Sequence, residues 1–227
     1  MTWPLYKHPQ AISFFTCSFL ASTRSVVLNT GYLSKIGLCE IEINGSKVEV
    51  YVADNSALVV AMINDLKYSS RERRVVGLDY KNTPTGKVLI LCIGADCLII
   101  KLICLDCVPK TLKQFLADET YCFLGKGMSN IVQALQSDDI QCGTGIDVGY
   151  LFVRILRKPN IEGYGLKDLA DEVGMHIEEP IGACPDWNAI VFSMDQIKHA
   201  VHNANTSYVI VDKLLRKVDP NSDDDDT

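Results

Sequence analysis

Several groups of residues have types and spacings that could do chemistry, and each has a plain structural reading beside it. Cys104-Leu105-Asp106-Cys107 has CxxC spacing, but no second CxxC and no nearby histidine completes a zinc site. His199 and His202 fall one helical turn apart and can share a face. No carboxylate or cysteine close in sequence completes a metal site with them, so they read as helix surface. Arg71, Arg73 and Arg74 form a basic cluster that could meet a backbone phosphate, with a solvated charged loop as the alternative. Gly125-Lys126-Gly127 lacks Walker spacing and reads as a strand end. Trp187 reads as a packing anchor that could also touch nucleic acid. Asp168 and Asp171, also one turn apart, read as helix surface. Nothing resembles a Ser-His-Asp or Cys-His catalytic set.

The elements that must position these residues are legible as periodicities. Cys39–Ile43 and Lys47–Val52 alternate around Asn44-Gly45, the signature of a hairpin. Asn55–Leu66 has helical spacing, with Leu58, Val59, Met62, Ile63 and Leu66 on one face and Asp54 or Asn55 as cap. Val75–Tyr80, Lys87–Ile93 and Asp96–Leu102 read as strands, the last two joined at Gly94-Ala95. Thr111–Leu116 reads as a short helix, Tyr121–Leu124 as a strand, Ser129–Leu135 as a helix and Gly145–Val148 as a short strand. Helices are expected from Val148, over Leu166–Val173 with Gly174 as its stop, and over Asp195–Leu215 as the closing element. The order predicts an α/β fold, a mixed β-sheet flanked by α-helices.

Composition narrows the class. With 227 residues, 48% hydrophobic and 22% charged, the chain suits one globular domain with extensions. Four of the charges in its formal net −6 sit in Asp223–Asp226, so the body is near neutral. That argues against strong nonspecific DNA binding by phosphate neutralisation. Of nine cysteines, Cys92, Cys97 and Cys104 lie in or beside apolar strands and read as buried free thiols, which points to a reducing compartment. No apolar run is long enough for a membrane span. Residues 1–37 read as a flexible extension, with Ala11–Leu20 as a possible transit or signal segment. Residues 38–217 form the expected domain, and 218–227 an acidic disordered tail. The expected location is nucleus or cytoplasm, or an organelle if residues 1–37 act as a transit peptide.

A family resemblance covers roughly residues 38 to 217. Val75-Val76-Gly77-Leu78-Asp79-Tyr80-Lys81 resembles the first motif of the DEDD 3′–5′ exonucleases of the ribonuclease H-like superfamily. The nearest branch looks like the plant Werner-syndrome-like exonucleases. Phe123-Leu124-Gly125-Lys126-Gly127-Met128, Gly145-Ile146-Asp147-Val148, Gly165 through Ala170, Pro185-Asp186-Trp187 and Asp195 through Ala200 continue the resemblance in order. It implies a ribonuclease H-like fold. It also implies a strand Asp-x-Glu, a second Asp on the helix after the Gly-x-Gly strand, and a third on the last helix, four residues after a Tyr. In such proteins the four carboxylates hold two divalent metals, Mg²⁺ or Mn²⁺, that activate water and stabilise the leaving oxygen.

This sequence departs from that pattern at most positions. Asp79 matches the first acid. Lys81 stands at the Glu position, Ile131 at the second Asp, His199 at the Tyr and Asn203 at the third Asp. Asp79 is therefore the one family acid left as a metal ligand, and no cofactor is expected unless nuclease activity persists with Mg²⁺ or Mn²⁺. Two residues apart on one strand, Lys81 and Asp79 share a face, so the ammonium could stand in for a metal and neutralise the carboxylate, with an ordinary strand-end ion pair as the alternative. The expected function is a degenerate exonuclease-like domain that binds DNA or RNA or scaffolds an assembly. The alternatives are an active metal-dependent 3′–5′ exonuclease and a protein-interaction module without nucleic acid.

Overall fold

Asn44 and Gly45 both adopt positive φ, 50° and 75°, the geometry of a tight two-residue hairpin. They join β1 (Leu38–Ile43) to β2 (Ser46–Ala53), with Ile43 opposite Ser46. The computed structural model describes residues 37–70, 73–161, 163–180 and 185–218. The N-terminal segment with its candidate transit sequence, Arg71 and the acidic tail lie outside the described residues.

Helix α1 (Ser56–Ser69) starts where expected: the Asn55 side chain accepts from Leu58 N at 2.9 Å. Strands β3 (Val75–Thr83), β4 (Gly86–Ile93) and β5 (Asp96–Lys101) follow as an antiparallel meander. Then come α2 (Lys110–Ala117), β6 (Cys122–Gly125), α3 (Met128–Ser137), β7 (Gly145–Asp147), α4 (Val148–Leu156), α5 (Leu166–Glu172) and the long α6 (Met194–Val218). Gly174 ends α5 at φ 70°, its N–H bonded to Asp171 O and that of Met175 to Ala170 O, a left-handed helix stop. Ser193 and Gln196 start α6 with a reciprocal capping box, Gln196 N to Ser193 Oγ and Ser193 N to Gln196 Oε1.

The seven strands form one mixed sheet in the order β1-β2-β5-β4-β3-β6-β7. The β2–β5, β3–β6 and β6–β7 pairs are parallel and the rest antiparallel. Helices cover both faces, the arrangement of a ribonuclease H-like α/β fold. Because side chains alternate across a strand, Val76, Leu78 and Tyr80 of β3 join the core under α1, α2 and α3, while Gly77, Asp79 and Lys81 point to the α6 face. Core residues of β1, β2, β4 and β5 meet Trp187, Phe192 and the first half of α6, and a third cluster joins α4, α5 and the end of α6.

The cysteine reading needs correction. Cys92 and Cys97 face each other across β4 and β5 and form a disulfide, and Cys104 is exposed. The sequence signal was burial, which Cys92 and Cys97 have; hairpin register, invisible in composition, brings the two sulfurs together. Of the three thiols behind the inference to a reducing compartment, only Cys104 is free. Among the described residues no helix is long and apolar enough to cross a membrane.

Candidate functional site

Gly77 sets the geometry of the site. A Cβ there would lie 2.0 Å from Ala204 O, so α6 crosses β3 backbone to backbone. That close crossing carries His199, His202 and Asn203 to the end of β3 where Asp79 and Lys81 stand. A cleft of about 350 Å³ results, lined by Lys81, Lys126, Glu179, His199, His202 and Asn203, with Leu166 and Pro180.

Asp79 is buried, and its Oδ1 accepts from Tyr80 N at 2.8 Å. The Lys81 ammonium lies 2.6 Å from Oδ2, with side-chain exposures of 19% for Lys81 and 9% for Asp79. Oδ2 has no hydrogen-bond partner, so this contact is a close ion pair without hydrogen-bond alignment. The ammonium sits on the carboxylate, as two charges sharing one face of a strand allow. Ile131 is buried in the core beneath α3 and offers no oxygen to the cleft.

Both histidines of α6 are held below the usual imidazole range. For His199 the causes are burial and then the Lys81 charge, opposed by Asp79. For His202 they are burial first, with Lys81 and His199 lowering and Glu179 and Asp79 raising. The rings are therefore neutral near pH 7 and can each donate and accept. His202 is buried rather than on the helix surface, a correction: the close crossing at Gly77 turns this part of α6 inward. His199 packs edge-on against Trp187, ring centroids 6.0 Å apart, and Trp187 is fully buried.

The cleft's donors do not suit a pair of hard cations. Such ions need several anionic oxygens. Asp79 is paired to an ammonium, position 131 is hydrocarbon, and Asn203 supplies only a neutral amide. Among the described residues no cluster of three or more His, Cys, Asp or Glu could hold a metal ion. The Gly125-Lys126-Gly127 turn is no open phosphate cradle either. Asp147 Oδ2 already accepts from Gly127 N at 2.7 Å and Met128 N at 3.2 Å, and its Oδ1 caps α4 through Gly149 N.

Sequence reasoning missed Lys126 and Glu179 as cleft residues, because a turn and a loop distant in sequence bring them there. It also missed Asp147 as the cap of two helices. The arginines lie elsewhere. Arg73 pairs with Asp212 of α6 at 2.7 Å, while Arg74 bonds Thr120 and stacks on Tyr121, 5.4 Å from the ring centre. They precede β3, roughly 25 Å along the strand from Lys81 at about 3.3 Å per residue. Asp168 accepts from Gly165 N at the start of α5.

No family model matches this chain, and no curated protein does. Among solved structures it is similar to the EXD2 exonuclease domain soaked in Mn and GMP: 25% identity, 78% of this chain and 97% of the other covered, TM-score 0.46. The same domain soaked in Mn and Mg gives 25% identity, 78% and 98% coverage, and a TM-score of 0.45.

Proposed function

We propose that this chain is a degenerate member of the DEDD 3′–5′ exonuclease superfamily, nearest the plant Werner-syndrome-like branch, that holds a nucleic-acid strand without cutting it. The observation that carries the reading is the Lys81 ammonium 2.6 Å from Asp79. A set of bare carboxylates repels a phosphodiester unless metals neutralise it; here an internal cation does so. Lys126, the neutral histidines and the Asn203 amide then supply donors to a backbone phosphate. Glu179 on the same lining opposes this, and the body is near neutral, so binding is weak and falls steeply with salt. Catalysis by two metals has no ligand set to work with.

The test is a recessed-end, fluorescently labelled duplex incubated with Mg²⁺ and with Mn²⁺, beside an Asp79→Ala variant. The expected outcome is a band shift and no shortening of the labelled strand. Shortening that disappears in the variant would mean that Asp79 still serves a nuclease. Neither shortening nor a shift, on duplex or single strand, would move the assignment to a protein-interaction module.

A further inference from the structure

A pocket of about 480 Å³ opens between Leu38, Val52 of β2, the end of β5 and the start of α6, and shares no lining residue with the Lys81 cleft. That volume is in the range of small-molecule sites. Its walls are largely apolar: Leu38, Val52, Phe192, Met194 and Ile197 contribute. Two further lining residues, Ile190 and Val191, are 93% and 49% exposed and extend the apolar surface outward.

Lys101 also lines this pocket, and it is only 3% exposed. Its Nζ donates to Ala189 O at 2.6 Å and Ile190 O at 3.2 Å and lies 4.8 Å from the Phe192 ring centroid. Among the described residues no carboxylate lies within ion-pair distance of it; Asp54, also on the lining, does not reach it. Two carbonyl dipoles and a ring face offset part of the desolvation of an ammonium, but they do not cancel a full charge. An ammonium has three donors, and the carbonyls take two. Pinning two loop carbonyls needs only neutral donors, so a buried ammonium on the wall of an apolar pocket calls for its own explanation.

We propose that this pocket binds a small amphipathic carboxylate. The head group pairs with Lys101, and the hydrocarbon body lies against Phe192, Met194 and Ile197. The charge requirement separates such a ligand from a neutral alcohol of the same shape, and the apolar walls separate it from a free inorganic anion.

The experiment titrates the full chain with sodium decanoate, and separately with decan-1-ol and inorganic phosphate, by isothermal calorimetry. The expected result is saturable decanoate binding, decanol at least about tenfold weaker, and no heat from phosphate. Lys101→Met should weaken decanoate by about tenfold or more, to the level of decanol, while Lys47→Met at an exposed ion pair leaves it unchanged. Met194→Trp, which puts a larger side chain on the pocket wall and leaves Lys101 unaltered in sequence, should abolish both ligands and serves if Lys101→Met fails to fold. No decanoate binding to the unaltered chain overturns the proposal, and so does binding that survives both substitutions. These outcomes are independent of whether nucleic acid binds at the Lys81 cleft.

Discussion

Lys81 and Lys101 stand in one row of the sheet. Lys81 is opposite Val88 of β4, and Val88 is opposite Lys101 of β5. The two lysines are thus two strand spacings apart, roughly 10 Å. Both are largely withdrawn from water, yet their electrostatic situations differ. Lys81 closes on Asp79 as an ion pair. Lys101 finds only carbonyl oxygens and a ring face. The same residue type therefore does opposite things in neighbouring hollows of one face. In the first it pairs with a buried carboxylate. In the second it leaves a positive charge unmatched beside apolar walls. Position in the fold does not decide the chemistry; the partner within ion-pair distance does.

Both hollows share a wall, α6, which gives Gln196 and Ile197 to one and His199, His202 and Asn203 to the other. The largest expected effect therefore comes from moving that helix. In Gly77→Ala the new Cβ would meet Ala204 O at 2.0 Å, against rigid backbone on both sides. Overpacking of this kind costs about 3 kcal/mol, and for a chain of this size that lowers Tm by about 10 °C. Thermal unfolding followed by circular dichroism measures it. A Tm within about 1 °C of the parent would mean that α6 does not cross β3 at this glycine, and the shared wall would be lost as an explanation.

The contrast between the lysines is sharpened by removing each charge in turn. Lys81→Met strands the Asp79 carboxylate, which is buried, so urea unfolding should show a loss of about 2 kcal/mol, discounted from the 3–5 kcal/mol of a fully buried pair. The double variant Asp79→Asn, Lys81→Met should recover most of that loss, because no charge remains to be stranded. Lys101→Met strands no carboxylate. It gives up two hydrogen bonds to carbonyls but relieves the burial of an ammonium, and the change should stay within about 1 kcal/mol. Equal losses for the two single variants would contradict the distinction drawn between their partners.

Much of this was legible before the structure. Alternation and turn chemistry located β1 and β2 with their Asn44-Gly45 hairpin, and helical spacing located α1 with its Asn55 cap. The i, i+2 relation of a strand placed Asp79 and Lys81 together, and the ion pair followed from charge alone. What local sequence cannot show is register between distant segments. The parallel pairing of β2 with β5 is of that kind; it puts Leu38 and Val52 beside the end of β5 and so builds the Lys101 pocket. The Cys92–Cys97 bond depends on hairpin register, and the burial of His202 on a helix crossing decided by one glycine. Lys101 itself ends an apolar strand, where nothing in its neighbourhood distinguishes it from a lysine that reaches water.

The smallest expected effect is a pH dependence that belongs to one of the two hollows. His202 is 6% exposed and its folded pKa lies below the ordinary imidazole value of 6.5. The unfolded chain therefore takes up the proton first. The stability gained by burying the neutral ring is complete above pH 6.5 and declines as pH falls from there through the folded pKa. His199 acts in the same direction from a less buried position. Urea unfolding between pH 7.5 and 5 should show this decline, and His202→Gln should flatten it more than His199→Gln does. The Lys81 charge is one cause of both shifts, whereas Lys101 is a cause of neither. Lys81→Met should therefore raise both imidazole pKa values, visible in NMR titration of the ring protons, while Lys101→Met leaves them in place. If Lys101→Met moved the histidines as far as Lys81→Met, the two hollows would be one electrostatic site, and the separation of a neutralised cleft from a charged pocket would fail.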